Sequence, residues 1–270
     1  MCRSHTIASV RVETLGSGTP AIAVVGGVHG DEPCGQVAID RFLERDPDLD
    51  RPVRFVVANE EALSRGSRYV ERDLNRVLPG DPESDIHEER LAVELLEAVE
   101  GCTPLGIHST RSYAEPFGVL ADPTPAKRRL FRRMNVSAVL DTTGLSSGRC
   151  VDHGFLDVEA GLQGTDQAAD NAVLCIESFL AATGALESDV SIAETGTETI
   201  LYEVTDIIEK EPESEYRFLA ENFEWVEAGT VYAERDDEPM TADEAFVPAL
   251  SSSDGHASIL GYRTRPAGVL

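Results

Sequence analysis

Residues 22–35, IAVVGGVHGDEPCG, are the stretch on which the reading of the fold turns. Ile22–Val28 is a continuous apolar run broken only by glycines, the pattern of a short strand buried on both faces. Pro33 then opens a helix through Arg45, since a proline in the first turn gives up no intrahelical hydrogen bond. The same strand-then-helix alternation continues outward. Val53–Ala58 (VRFVVA) reads as a second buried strand. Pro82–Glu100 reads as a long helix with Leu91, Leu95 and Val99 on one face. Pro104–His108 (PLGIH) is a third strand, and Gly118–Leu120, Val136–Leu140 and Phe155–Val158 are further ones. Asp166–Ala182 is a helix with Ala169, Val173, Ile176 and Leu180 along one side. The alternation predicts an α/β fold, a sheet covered by helices on both faces.

Near residue 184 the helical periodicity stops. Thr197–Ile208 alternates like a strand, Phe223–Val226 and Gly229–Ala233 read as two strands about a turn, and Ile259–Tyr262 as a late one. Asp236–Glu238 is a charged turn. The expectation is two domains, 1–188 and a smaller β-rich C-terminal domain at 189–270.

Charge narrows the partners. There are 49 acidic against 23 basic residues, a formal net charge of −26, and Lys127 and Lys210 are the only lysines. A field this negative repels phosphate, which argues against nucleic acid as a partner and against anionic membrane surfaces. An acidic, lysine-poor surface fits a protein kept hydrated in very salty cytoplasm. Cys2, Cys34, Cys102, Cys150 and Cys175 are scattered without CxxC spacing, so no disulfide framework is expected. The first residues lack the apolar core of a signal peptide, and no run of about 18 apolar residues exists to span a membrane. Cytoplasmic location is the expectation. Homo-oligomers are possible partners.

The chemistry lies in GGVHGDEPCG, 26–35. His29 and Glu32 follow a buried strand directly, at the carboxyl end where open α/β sheets place their sites. Imidazole nitrogen and carboxylate oxygen are zinc donors, and a catalytic zinc keeps three protein ligands and an open position. His108 is the third candidate, because it also ends an apolar strand run. It would reach the same edge if the two strands were parallel neighbours. His5, His87, His153 and His256 lack partners at ligand spacing and read as surface or core residues. Glu159, in LDVEAG (156–161), ends another apolar run and is placed to serve as a base for water. In so acidic a chain a surface glutamate is the competing reading. Asp73–Gly80 (DLNRVLPG) supplies Asn75 and Arg76, a donor and a guanidinium fork for a substrate carboxylate. Arg68 is a cation that could polarise a scissile carbonyl beside a metal. Surface charge is the alternative for all three.

GGVHGDEPCG (26–35), VVANEEAL (56–63), RYVERDLNRVLPG (68–80), IHST (107–110) and VEAGLQG (158–164) follow one another as in the succinylglutamate desuccinylase/aspartoacylase family, which the chain resembles over about residues 20–180. HEERLA (87–92) is similar as well. The resemblance implies a zinc carboxypeptidase-like mixed sheet and one zinc per chain held by His29, Glu32 and His108. It implies Glu159 as general base and acid, Arg68 at the carbonyl, and Asn75 with Arg76 at the amino-acid carboxylate. Arg149, ten residues before Glu159, stands where aspartoacylase-like members hold a second substrate carboxylate. Leu145 replaces a tyrosine found in some members, and Ser253–His256 (SDGH) shows no counterpart to their late tyrosine, so the acyl and amino-acid specificity is open. The implied activity is hydrolysis of a small anionic N-acyl amino acid. A peptide carboxypeptidase and a zinc-binding protein without catalysis are the alternatives.

Overall fold

The structure is a computed structural model that describes residues 10–145, 147–187 and 198–270. The first half runs β1 (Arg11–Leu15), β2 (Ile22–Gly26), α1 (Cys34–Leu43), β3 (Val53–Val57), α2 (Glu60–Arg65), α3 (His87–Ala98) and β4 (Thr103–Thr110). There follow β5 (Phe117–Leu120), α4 (Pro125–Phe131), β6 (Ala138–Asp141), β7 (Leu156–Leu162) and α5 (Asp166–Ala182). The C-terminal part is all strand: β8 (Ile200–Glu209), β9 (Tyr216–Phe218), β10 (Val231–Arg235), β11 (Glu238–Thr241), β12 (Val247–Ala249) and β13 (Ile259–Val269).

Ten strands form one mixed sheet in the order β1-β3-β2-β4-β7-β5-β6-β8-β13-β12. β2, β3, β4 and β7 are mutually parallel neighbours, whereas β5 runs antiparallel to β7. Both faces are covered. Ile22 and Val24 of β2 pack with Ile39 and Phe42 of α1 and Ile176 and Phe179 of α5. Ala23 and Val25, pointing the other way, pack with Leu91 and Leu95 of α3. Alternate residues of one strand thus enter two cores, and this is why the strand reads as an unbroken apolar run rather than an alternating one.

Some sequence expectations are corrected. The Pro82–Glu100 helix begins only at His87. Asp81 accepts from the Glu83 amide at 2.9 Å and Ser84 from the Ile86 amide at 3.1 Å. Such local side-chain bonds offer the backbone an alternative to the helix. Phe223–Val226 is not a strand: Phe223 has φ 64°, in the left-handed region, and Val226 makes one isolated bridge to Phe246. β1, with the exposed charge of Glu13 in its middle, carries no apolar run that would have announced it.

The β-rich C-terminal region divides its strands. β8 pairs parallel to β6 and, with β13 and β12, continues the main sheet. β9, β10 and β11 form a separate antiparallel sheet over a small core of Ile208, Val226, Tyr232, Phe246 and Leu260. The expected boundary at 188/189 lies outside the described residues, as do Cys2 and His5. Among the described residues no helix is long and apolar enough to cross a membrane.

Candidate active site

After β2 the chain builds β3 on one side and then returns to place β4 on the other. Where strand order reverses in this way, the loops leaving the carboxyl ends diverge and open a crevice. His29 leaves β2 at that point, and His108 stands near the end of β4. Ligand atoms of His29, Glu32 and His108 all lie within 4.8 Å of one another, and all three residues are buried. Glu32 is the hub. Its Oε1 is 3.0 Å from His29 Nδ1 and its Oε2 is 3.3 Å from His108 Nδ1. The Ser109 amide donates to the same Oε2 at 3.2 Å.

The donor set fits a divalent metal. Two imidazole nitrogens and a carboxylate oxygen are donors that zinc accepts, and one such atom from each residue lies within 4.8 Å of the others. Each imidazole has a carboxylate behind it. Asp73 Oδ1 is 3.0 Å from His29 Nε2, and Asp157 Oδ2 is 3.7 Å from His108 Nε2. The second distance is a charge contact rather than a hydrogen bond. A carboxylate at Nε2 places the proton there and turns the Nδ1 lone pair toward a metal. Gly106 makes room for this arrangement, because a Cβ there would stand 2.2 Å from Asp157 Oδ1.

Charges crowd the site. Burial opposes protonation of His108, but Asp157 and Glu32 outweigh it and push the imidazole up to about 9. Burial would likewise lower His29, yet Glu32 and Asp73 raise it. The two imidazoles hold Glu32 well below the usual carboxylate range in spite of its burial. Glu159 moves the other way: burial, and then the charge of Glu32, push its carboxyl up to about 7. Glu159 sits opposite His108 in the β4–β7 ladder. Its Oε2 is buried without a hydrogen-bond partner among the described residues.

A cleft of about 620 Å³ is lined by all eight residues singled out in the sequence: His29, Glu32, His108, Glu159, Arg68, Asn75, Arg76 and Arg149. Arg68 bridges Glu32 Oε1 at 2.9 Å and Asp73 Oδ2 at 3.0 Å. Asn75 Oδ1 accepts from the Cys150 amide at 2.7 Å, which orients its side chain. Arg76 donates to the carbonyl of Asn75 at 2.6 Å and makes no ion pair among the described residues. Arg149 is different. Its Nε and Nη2 lie 3.1 and 2.8 Å from the two oxygens of Asp152, and Nη2 also reaches the Thr142 carbonyl at 3.2 Å. It lines the cleft already paired.

Sequence reasoning passed over Asp73, although it lies inside the DLNRVLPG segment, and Asp157. The signal for Asp157 was present: it stands two residues before Glu159, on the same face of the strand. His256, exposed as read, and Tyr262 from the C-terminal part also line the cleft. His87 is buried, as read. If His29, Glu32 and His108 hold a divalent ion, Asp157→Asn is expected to weaken its binding about 10- to 100-fold, because the carboxylate behind the His108 imidazole is lost. A competition titration against a chromophoric chelator measures this.

Residues 18–113 match the family model of the succinylglutamate desuccinylase/aspartoacylase catalytic domain. A probable aspartoacylase of Prochlorococcus marinus is 35% identical over 78 residues, 28% of this chain and 26% of that protein. An N-acyl-aromatic-L-amino acid amidohydrolase (carboxylate-forming) of Rattus norvegicus is 41% identical over 58 residues, 20% of this chain and 18% of that one. The aligned stretches thus span about a quarter or less of these relatives' length. Among solved structures, a succinylglutamate desuccinylase/aspartoacylase from Rhodobacter sphaeroides superposes with a TM-score of 0.76 at 18% identity, covering 94% of this chain and 89% of that one. A product-bound ectoine utilization protein from Ruegeria pomeroyi gives 0.74 at 16% identity, with 94% and 88% covered. At such identities the likeness is one of fold.

Proposed function

We propose, from the match of residues 18–113 to the succinylglutamate desuccinylase/aspartoacylase catalytic-domain model, that this chain is a zinc-dependent hydrolase of that family and cleaves the amide bond of an N-acyl amino acid. The observation that carries this reading is the pairing of two features at one sheet edge. His29, Glu32 and His108 converge as a group able to hold a metal ion, and the buried Glu159 Oε2, without a hydrogen-bond partner among the described residues, belongs to the strand beside His108.

His29, Glu32 and His108 would hold the zinc, which supplies Lewis-acid charge for activating water and for polarising a carbonyl oxygen. Glu159 takes a proton from the attacking water. Its burial beside Glu32 raises its affinity for that proton, so it can retain it and pass it to the departing amine nitrogen. Arg68, fixed by Glu32 and Asp73, places positive charge where the carbonyl oxygen becomes negative. Arg76 and Asn75 receive the amino-acid carboxylate. The substrate class is therefore small and anionic, which demands local cations in a chain of net charge −26.

Arg76→Ala is expected to raise KM about 10- to 100-fold, the worth of one charge-assisted bond, with kcat little changed. An unchanged KM removes its role. The reading as a whole is tested by assaying N-acetyl and N-succinyl amino acids beside C-terminal peptides, at high salt, with and without a chelator. Chelator-sensitive release of free amino acid from the acyl substrates supports it. Preference for peptides makes the protein a carboxypeptidase. Stoichiometric zinc with no hydrolysis of any substrate makes it a zinc-binding protein.

A further inference from the structure

Glu88, in the first turn of α3, is 0% exposed and lies outside the cleft lining. Its Oε1 accepts from the Val70 amide at 2.6 Å and from Asn59 Nδ2 at 3.2 Å. Its Oε2 accepts from the amides of Glu71 at 3.1 Å and Arg72 at 3.0 Å. A carboxylate withdrawn from water stays ionised only when donors replace the lost solvation. Here burial raises its proton affinity, and the three backbone amides more than reverse that.

The loop so gripped has functional ends. Arg68 lies two residues before Val70, and Asp73 follows Arg72. Arg68 Nη1 reaches Glu32 Oε1 at 2.9 Å, and Asp73 Oδ1 meets His29 Nε2 at 3.0 Å. Consecutive amides pointing at one carboxylate fix the backbone direction between these two side chains.

A second arm leaves the same carboxylate through Asn59. While its Nδ2 donates to Glu88, its Oδ1 caps α2 by accepting from the Ala62 amide at 3.0 Å. Gly30, inside the His29–Glu32 loop, packs directly on that turn: a Cβ at Gly30 would lie 2.0 Å from the Ala62 carbonyl carbon. The Gly30 amide also donates to the Arg68 carbonyl at 3.2 Å. The metal-binding loop is therefore held between two pieces of chain, and both refer to one buried carboxylate.

We propose that Glu88 is a positioning residue of the metal centre, fixing residues 70–72 and Asn59 so that Arg68 and Asp73 meet Glu32 and His29. It acts through those residues and touches neither substrate nor metal. The proposal rests on the reading of His29, Glu32 and His108 as a zinc site.

The test uses the full chain stripped of metal and titrated with zinc against a chromophoric chelator. Glu88→Ala is expected to weaken zinc binding about 10-fold, the lower end of the range for losing a ligand's outer partner. Glu88→Gln, which keeps one carbonyl oxygen but turns an amide donor toward the loop, should fall between it and the parent. At saturating zinc, kcat should drop with KM within twofold, since Arg68 serves the transition state. A purely structural role would lower the thermal midpoint and leave zinc affinity and kcat in place. Zinc affinity and kcat within twofold of the parent in both variants overturn the proposal. Hydrogen exchange on the unmodified protein needs no variant to fold: the amides of Val70, Glu71 and Arg72 should be as protected as the buried turns of α3, and exchange at open-loop rates overturns the proposal. If the parent binds zinc but hydrolyses no substrate, the hydrolase reading fails and the affinity arm still decides the role of Glu88. A parent that binds no zinc overturns both.

Discussion

Glu159→Gln is expected to bind zinc as the parent does and to lose about 10²- to 10⁴-fold in kcat, the range for removing a general acid–base. The two carboxamide and carboxylate side chains have nearly the same shape, so the β4–β7 ladder that sets Glu159 beside His108 is undisturbed. What changes is the ability to accept a proton. Glu159 Oε2 has no hydrogen-bond partner among the described residues, so no structural bond is broken by the exchange. Steady-state kinetics with the metal content of the same sample is the measurement. Turnover close to that of the parent with zinc in place would remove Glu159 from the mechanism.

On the proposed zinc reading Glu32→Ala is expected to be more drastic: the variant should retain none of the one ion per chain expected of the parent, and hydrolysis should fall to background. Glu32 is the residue that faces both imidazoles, the Arg68 guanidinium and the Ser109 amide at once. Removing it deletes the carboxylate that stands between the two imidazoles and the guanidinium, leaving only Asp73 and Asp157 behind them. Burial leaves little water to take its place, since His29 and His108 are each 3% exposed. His153→Ala, in the turn after Arg149, exposed and outside the cleft lining, is the matched control and should keep zinc and activity. Metal analysis of the two variants side by side decides the matter. A Glu32→Ala protein that retains stoichiometric zinc would show that the ion is held elsewhere.

Several parts of the site were readable from residue order because their cause is local. His29 and Glu32 follow β2 directly, and the three-residue spacing brings both onto one short loop. His108 and Glu159 end apolar runs, and a polar residue at the end of a buried strand has one place to go, the sheet edge. Asp157 could have been read by counting two residues back from Glu159. Glu88 could not. It belongs to a helix whose first turn carries Glu88 and Glu89 alike, and only the loop packed above it distinguishes the buried one from its neighbour. The pairing of Arg149 with Asp152 was similarly hidden, because a chain with 49 acids offers every arginine many partners at similar spacing.

The order of residues by itself determined that short apolar runs would become strands buried on two faces, that helices would cover them, and that the histidines and glutamates of interest would stand at strand ends. Burial of apolar surface acts along each segment separately, so its record is local and legible. Tertiary structure alone decided that β4 would lie beside β2 and β7 beside β4, so that residues 29, 108 and 159 share one edge. It also decided which carboxylates stand behind the imidazoles, and that β8, β13 and β12 would extend the main sheet while β9–β11 form their own. Those outcomes depend on strand order and through-space charge, and neither leaves a period or a spacing in the chain.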